Sequence, residues 1–202
     1  MFKWILIDQA NVQIYPIFTR KETYSINRKT FKAKELESIF YGSDYDKYEL
    51  GQISERKLIS NFLKRTDLDL TADEYIRLFK SDINPIEGMD KILSELYAKY
   101  KLAALINEGA EWAKYKFEGS GFGKYFQHSI VSWELGLKKP DRGFYEKALQ
   151  IISAKAEECL FIDDKEKNCK GAEAIGIKSI IFKDAKQLRK EFIGLGIVLH
   201  NF

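Results

Sequence analysis

The 202-residue chain is poor in the side chains that build cross-links and zinc sites, with two cysteines (Cys159, Cys169) and two histidines (His128, His200). The cysteines form no CxxC pair and no metal-ligand spacing. That excludes a disulfide-stapled secreted scaffold, and both are expected as reduced, packed thiols of a cytoplasmic protein. The histidines lack motif partners and are assigned structural roles. Long hydrophobic runs are missing as well. No stretch approaches the length needed to span a bilayer, and the opening MFKWILID is too short an apolar run for a secretion signal. Nor does either charge dominate: 33 lysines and arginines stand against 30 acids, for a net +3. The charges are interleaved, whereas a nucleic-acid footprint needs cations clustered on one face, so no nucleic-acid or membrane partner is expected. No internal repeat or low-complexity segment stands out, and nothing in the sequence sets the oligomeric state.

Hydrophobic residues make up 45% and aromatics 14%, enough for a packed core in one domain, or in one domain with a sizeable insertion. Five short apolar runs read as buried strands: Trp4–Ile7, Leu102–Ile106, Ser129–Ser132, Cys159–Ile162 and Ser179–Phe182. From Leu102 onward they alternate with helical patterns at 110–117, 142–152, 165–175 and 185–194. This rhythm predicts an α/β fold, a Rossmann-like parallel sheet with helices on both faces. Gly176 is placed to end the third of these helices, and Pro140 sets the entry to the second. The run Gly196–Leu199 reads as an edge strand or a terminal tack. Gly119–Lys124 looks superficially like a phosphate loop, but it lacks the Gly-Lys-Ser/Thr ending and a preceding strand, so a flexible connector is expected.

Phe161-Ile162-Asp163-Asp164 ends an apolar run in two adjacent carboxylates, and Trp4–Ile7 likewise runs into Asp8. Ligands of open α/β sheets bind at the carboxyl ends of the strands, and clustered carboxylate oxygens there suit a hard cation such as Mg²⁺. Residues 15–85 break the strand–helix rhythm. They show helical periodicity at 33–40, 54–65 and 71–79 and no convincing buried strand. Ser54 is a candidate N-cap, and Thr71 with Glu74 matches a capping box. Asn84-Pro85 marks the return to a helix over 86–100. The expected organisation is therefore a core of residues 1–14 and 86–202, with a helical cap at 15–85 hinged near 13–16 and 83–86.

In chain order, these landmarks resemble the haloacid dehalogenase-like (HAD) hydrolase superfamily, in the branch with a helical cap after the first motif. Ile5-Leu6-Ile7-Asp8 is similar to the nucleophile strand. Ala103-Ala104-Leu105-Ile106-Asn107 is similar to the second motif, Gly136-Leu137-Lys138-Lys139-Pro140-Asp141 to the third, and Phe161-Ile162-Asp163-Asp164 with Asn168 to the fourth. Glu49–Ser54 is similar to a stretch common in caps of this branch. The resemblance implies a phosphoaspartate mechanism on a small phosphorylated molecule. Asp8 would be the nucleophile; Mg²⁺ would be held by Asp8, Asp163, Asp164 and the backbone carbonyl of Ala10. Lys139 would offset the crowded anions and Asn107 would bind the transferring group.

Two residues depart from the pattern. Ala10 stands where the phosphatases carry an acid/base aspartate, whose loss typically costs about 10²–10⁴-fold in rate. Ile106 stands where a Ser or Thr hydroxyl normally reaches the phosphoryl oxygen. Gln9 and Asn11 are the remaining polar groups that could position a water. The expectation is a Mg²⁺-dependent phosphatase of reduced strength. Two alternatives stand beside it: a catalytically impaired binding or regulatory protein, and Schiff-base chemistry on a cap lysine. Asp164 and Asn107 could instead cap the helices that follow them, and Asn168 could simply face solvent. Glu108 and Trp112 are adjacent to the site. Tyr15, Phe18, Tyr24, Phe31, Phe40, Tyr41, Tyr45 and Tyr48 are expected mainly in the cap core, with some lining a pocket.

Overall fold

Trp4–Ile7 forms strand β1, every residue of it buried, with successive side chains leaving on opposite faces. The structure, a computed structural model, describes residues 2–197 and 199. After β1 come a hairpin of β2 (Thr23–Ile26) and β3 (Lys29–Lys32), then helices α1 (Ala33–Glu37), α2 (Ser43–Glu49), α3 (Glu55–Arg65) and α4 (Ala72–Ser81). The rest alternates: α5 (Met89–Tyr97), β4 (Lys101–Ile106), α6 (Ala110–Ser120), β5 (His128–Val131), α7 (Ser132–Leu135), α8 (Arg142–Ile151), β6 (Cys159–Asp163), α9 (Glu166–Glu173), β7 (Lys178–Ile181) and α10 (Ala185–Gly194).

The main sheet is wholly parallel, in the order β5-β4-β1-β6-β7. The chain fills one side of β1 with β4 and β5, then crosses to the other side for β6 and β7. The carboxyl end of β1 is therefore the switch point where such sheets bind ligands. Ile5, Ile7, Leu160 and Ile162 pack with α5 and α10 on one face. Trp4, Leu6, Cys159 and Phe161 pack with α8 and α9 on the other. This is a Rossmann-like α/β fold with a helical insertion.

The insertion has its own hydrophobic cluster, built on Phe18, Leu36, Leu58, Phe62, Tyr75 and Phe79, to which α6 contributes Trp112. Its two connections run side by side: Tyr15 N–H donates to the Asn84 carbonyl at 2.9 Å, and Ile86 N–H to that of Gln13 at 2.9 Å. Ser54 accepts the Lys57 N–H at 3.3 Å, and Thr71 and Glu74 form the reciprocal capping box. The sequence shows no convincing buried strand in this insertion, and the helices expected there omit a short, largely exposed hairpin. The β2–β3 hairpin is present, with only Tyr24 and Phe31 facing inward. Its other positions are exposed or half-exposed, so no buried apolar run advertises it. Helix α2 was also unforeseen, since its sequence SDYDKYE has too little apolar periodicity.

In the core, Ser132 opens α7 rather than closing β5, because its hydroxyl turns inward to bond the backbone. The expected flexible connector at 119–124 is ordered: Gly119 and Ser120 end α6, and Phe122 and Tyr125 are buried in a 3₁₀ turn. Gly176 ends the α9 region with φ +90°, as a left-handed C-cap requires. His128 packs near Trp4, ring centroids 5.7 Å apart. His200 lies outside the described residues, as does part of the run 196–199.

Candidate active site

The parallel register places Ile7 beside Ile162, so the next residues, Asp8 and Asp163, emerge side by side at the carboxyl edge. Between them lies the buried ammonium of Lys139, brought in from the α7–α8 loop. It donates to Asp8 Oδ1 at 2.7 Å, Asp163 Oδ2 at 2.8 Å and the Leu105 carbonyl at 2.6 Å. Three donors meet three acceptors, so the cation is saturated and fixed. Burial disfavours its charge, but Asp8 and Asp163 outweigh that and hold Lys139 above its ordinary pKa. Asp8 shows the opposite balance. Burial is the largest influence and Lys139 only partly counters it, with Asp163 adding repulsion, so the carboxyl is pushed up to about 6.

Asp163 and Asp164 differ in what remains free. Asp163 accepts four contacts: Lys165 N–H at 2.8 Å, the Asn168 amide at 2.9 and 3.0 Å, and Lys139. A carboxylate offers about four acceptor positions, so Asp163 is fully subscribed. Asp164 accepts the Asn11 amide at 3.1 Å on Oδ2, while its buried Oδ1 has no partner among the described residues. Burial, then Asp163, holds the Asp164 carboxyl above its ordinary value. One carboxylate oxygen from each of Asp8, Asp163 and Asp164 lies within 4.8 Å of the others, a grouping able to hold a metal ion. The Ala10 carbonyl accepts no hydrogen bond among the described residues. A buried orphan carboxylate oxygen and an unused carbonyl beside Asp8 form a hard-oxygen donor set that fits Mg²⁺.

Several sequence expectations change at this level. Asn168 does not face solvent; it is buried and clamps Asp163. Asp164 caps no helix, since its carboxylate turns to Asn11. Asn107 is not a cap either, because Gly109 occupies that position of α6. Instead its amide clasps the Lys139 backbone, donating to the carbonyl at 2.8 Å and accepting the N–H at 2.9 Å. Gln9 is buried against the Ala113 carbonyl at 3.2 Å and is not among the cavity-lining residues, so it is not placed to position a water there. Ile106 is buried with Ala113 and Val131 and still lines the cavity, presenting methyl groups where a hydroxyl was missed.

A cavity of about 400 Å³ opens over these groups, between the sheet edge and the insertion. Asp8, Ala10, Asn107 and Lys139 line one part of it; Tyr15, Phe40, Tyr41 and Tyr45 line it from the insertion. Phe18, Tyr24, Phe31 and Tyr48 are core residues of the insertion instead. No lysine from residues 15–85 is among the described lining residues, which removes the physical basis for cap-lysine Schiff-base chemistry. Glu108 is buried and holds Lys116 Nζ at 2.5 Å and the Tyr45 hydroxyl at 3.2 Å. Trp112 points away into the insertion core and donates to Glu55 at 2.9 Å. Sequence reasoning missed Lys116 and the burial of Glu49. The available signal for Lys116 was its position three and four residues after Ala113 and Trp112, on the buried face of α6.

The family model for haloacid dehalogenase-like hydrolases matches residues 19–182. The chain belongs to this family. Among curated relatives it is similar to the chloroplast flavin mononucleotide hydrolase 1 of Arabidopsis thaliana, at 29% identity over 152 residues, covering 74% of this chain and 61% of that one. It is also similar to the glyceraldehyde 3-phosphate phosphatase of Pyrococcus furiosus, at 28% identity over 109 residues, covering 52% and 44%. The chain thus spans about three fifths or less of the length of these relatives. In fold, it matches a HAD family enzyme of Bacteroides thetaiotaomicron solved as a magnesium complex, with a TM-score of 0.75 at 18% identity, covering 95% and 98% of the two chains. As a HAD-like hydrolase, this chain shares its family with phosphatases. No helix among the described residues is long and apolar enough to cross a membrane.

Proposed function

We propose that this HAD-like hydrolase is a Mg²⁺-dependent phosphatase acting on a small phosphorylated molecule, with Asp8 as nucleophile. The observation that carries the proposal is the placement of Asp8 on a cavity, beside an acid pair, with Lys139 fixed against it at 2.7 Å. A carboxylate oxygen of Asp8 would attack phosphorus, forming an acyl phosphate and breaking the bond to the leaving oxygen. Water would then hydrolyse that acyl phosphate, releasing inorganic phosphate and regenerating the Asp8 carboxylate, so one difficult displacement is split into two easier ones. Lys139 supplies the fixed positive charge, and Asn107 orients it through its backbone. Asp8, Asp164 and the Ala10 carbonyl would hold the cation; Asp163, grouped with them, would lend an oxygen by giving up one of its four contacts and otherwise positions Lys139. Mg²⁺, when bound, neutralises charge that would otherwise keep a carboxylate from a phosphate. Residues 15–85 act as a cap over a core of 1–14 and 86–202, excluding water from the cavity. A cytoplasmic location with reduced thiols belongs to the same proposal.

Ala10 offers no proton to the leaving oxygen and Ile106 no hydroxyl to the phosphoryl group, so turnover is expected to be slow. The alternative of a non-catalytic binding protein rests on these two residues alone, and the relatives above lend it no support. The test is hydrolysis of an aryl phosphate and a panel of phosphomonoesters with Mg²⁺ or EDTA, beside Asp8→Asn. Metal-dependent turnover that disappears in Asp8→Asn is the expected result; activity indifferent to that change would refute the assignment. Ala10→Asp should raise kcat by roughly 10²-fold or more, since it restores a general acid next to the nucleophile.

A further inference from the structure

The part of the cavity away from Asp8 and Lys139 carries an uneven set of charges. Glu37 and Glu49 line it from the insertion, and Glu108 and Lys116 line it from the core. Lys116 is matched by Glu108 at 2.5 Å, and Glu108 is itself fully engaged, accepting Tyr45 O–H and Gly109 N–H as well. Lys138 reaches Glu49 at 3.1 Å but shares its charge with Asp46 at 2.8 Å. Among the described residues, three carboxylates (Glu37, Glu49, Glu108) therefore line this end beside one ammonium, that of Lys116, while Lys138, outside the lining, divides its charge between Glu49 and Asp46. Burial, then the charge of Glu108, already holds the Glu49 carboxyl above its ordinary value. The third lining cation besides Lys116 and Lys139 is exposed Lys165, which directly follows the acid pair and belongs to the phosphoryl end.

The hydrogen-bonding capacity left over matches this charge. Among the described residues, Glu37 accepts only a 3.3 Å contact from Tyr41, and one Glu49 oxygen takes no side-chain donor. Both are open acceptors on the cavity wall. Lys116 has donors beyond its single bond to Glu108, and its charge is already compensated, so it suits a neutral oxygen rather than an anion. Phe40 and Tyr45, packed edge-to-face at 5.4 Å, supply an apolar wall for a carbon skeleton.

We propose that the leaving group accepted here is neutral or cationic and bears hydroxyl or amino donors, and that phosphomonoesters carrying a carboxylate on the leaving group are rejected. This inference rests on the phosphatase reading and deepens it. A second carboxylate placed among Glu37, Glu49 and Glu108 meets like charge in a confined cavity, where screening by water is weak. A hydroxyl or ammonium in the same place meets open acceptors.

The test uses matched pairs that differ by one carboxylate: phosphoethanolamine against phosphoserine, and glycerol 1-phosphate against 3-phosphoglycerate. Affinities are measured by calorimetry on Asp8→Asn with Mg²⁺, where turnover is blocked, and kcat/KM is measured on the wild type. The member without the carboxylate should bind, and react, about tenfold or more better in each pair. Glu37→Gln and Glu49→Gln should each narrow that gap. Equal or tighter binding of the carboxylated members, binding of neither, or a gap untouched by both substitutions would overturn the inference. Failure of the phosphatase reading is read separately, as absence of metal-dependent turnover by the wild type while the binding preference persists.

Discussion

At the scale of single residues, the site is governed by one buried cation between two buried acids. Lys139→Met would keep most of the side-chain volume and leave Asp8 and Asp163 facing each other without compensation. Breaking a buried pair by removing one partner costs about 3–5 kcal/mol, so urea denaturation in EDTA should show a loss of that order. A midpoint equal to the wild type would mean that the two carboxylates share a proton or reorient. The Asp8 carboxyl, pushed up to about 6 by burial, gives a second expectation. The metal requires the ionised form, and binding it expels the proton. Mg²⁺ affinity should therefore rise with pH through about 6 and level off above it, with proton release detectable by calorimetry in buffers of different ionisation enthalpy. A pH-independent affinity would remove Asp8 from the ligand set.

At the scale of elements, the insertion is locked to the core by close approach rather than by area alone. Gly109 caps α6 directly against the ring of Tyr48 from α2, and a Cβ there would sit 1.9 Å from the ring. Gly109→Ala should destabilise the protein by about 1–3 kcal/mol through overpacking, measured by thermal or chemical denaturation. Adding Tyr48→Ala should recover part of that loss beyond simple additivity, which is the signature of a steric conflict between these two positions. Elements with strong local signals were legible in advance. The capping box at Thr71–Glu74 and the apolar stripe of α4 define that helix from local sequence. The hairpin and α2 were not, because each leaves most of its side chains exposed or half-exposed, and the hairpin turn is held by a neighbour through the Asn27–Glu74 hydrogen bond.

At the scale of the whole molecule, polar contacts around the cavity mouth add to the packing of Trp112 and Gly109 against the insertion. Lys138 from the core loop binds Asp46 and Glu49 of α2, and Tyr48 donates to Glu111 at 3.1 Å. If the insertion closes over the site, these contacts hold it down. Lys138→Ala should then speed amide hydrogen exchange across Ser43–Glu49 while leaving the parallel sheet protected. Unchanged exchange in α2 would show that this ion pair contributes nothing to closure, as is common for partly exposed pairs. Because backbone bonds pair the two connections at Tyr15–Asn84 and Gln13–Ile86, we propose residues 13–16 and 83–86 as the hinge of any such movement.

The order of buried runs and the acids that end them were set by local sequence alone. Apolar runs must be buried, and a strand that stops in Asp8 or Asp163 puts its charge at the sheet edge. Which polar groups meet there was decided by the tertiary structure. Asn168 looks like a surface residue until α9 turns it onto Asp163, and Lys116 looks like a solvated lysine until α6 packs it beneath the insertion. The division of labour between Asp163, with every acceptor taken, and Asp164, with one oxygen free, exists only in three dimensions. A hydrogen bond between residues more than a hundred positions apart depends on strand order and loop path, neither of which adjacent residues encode.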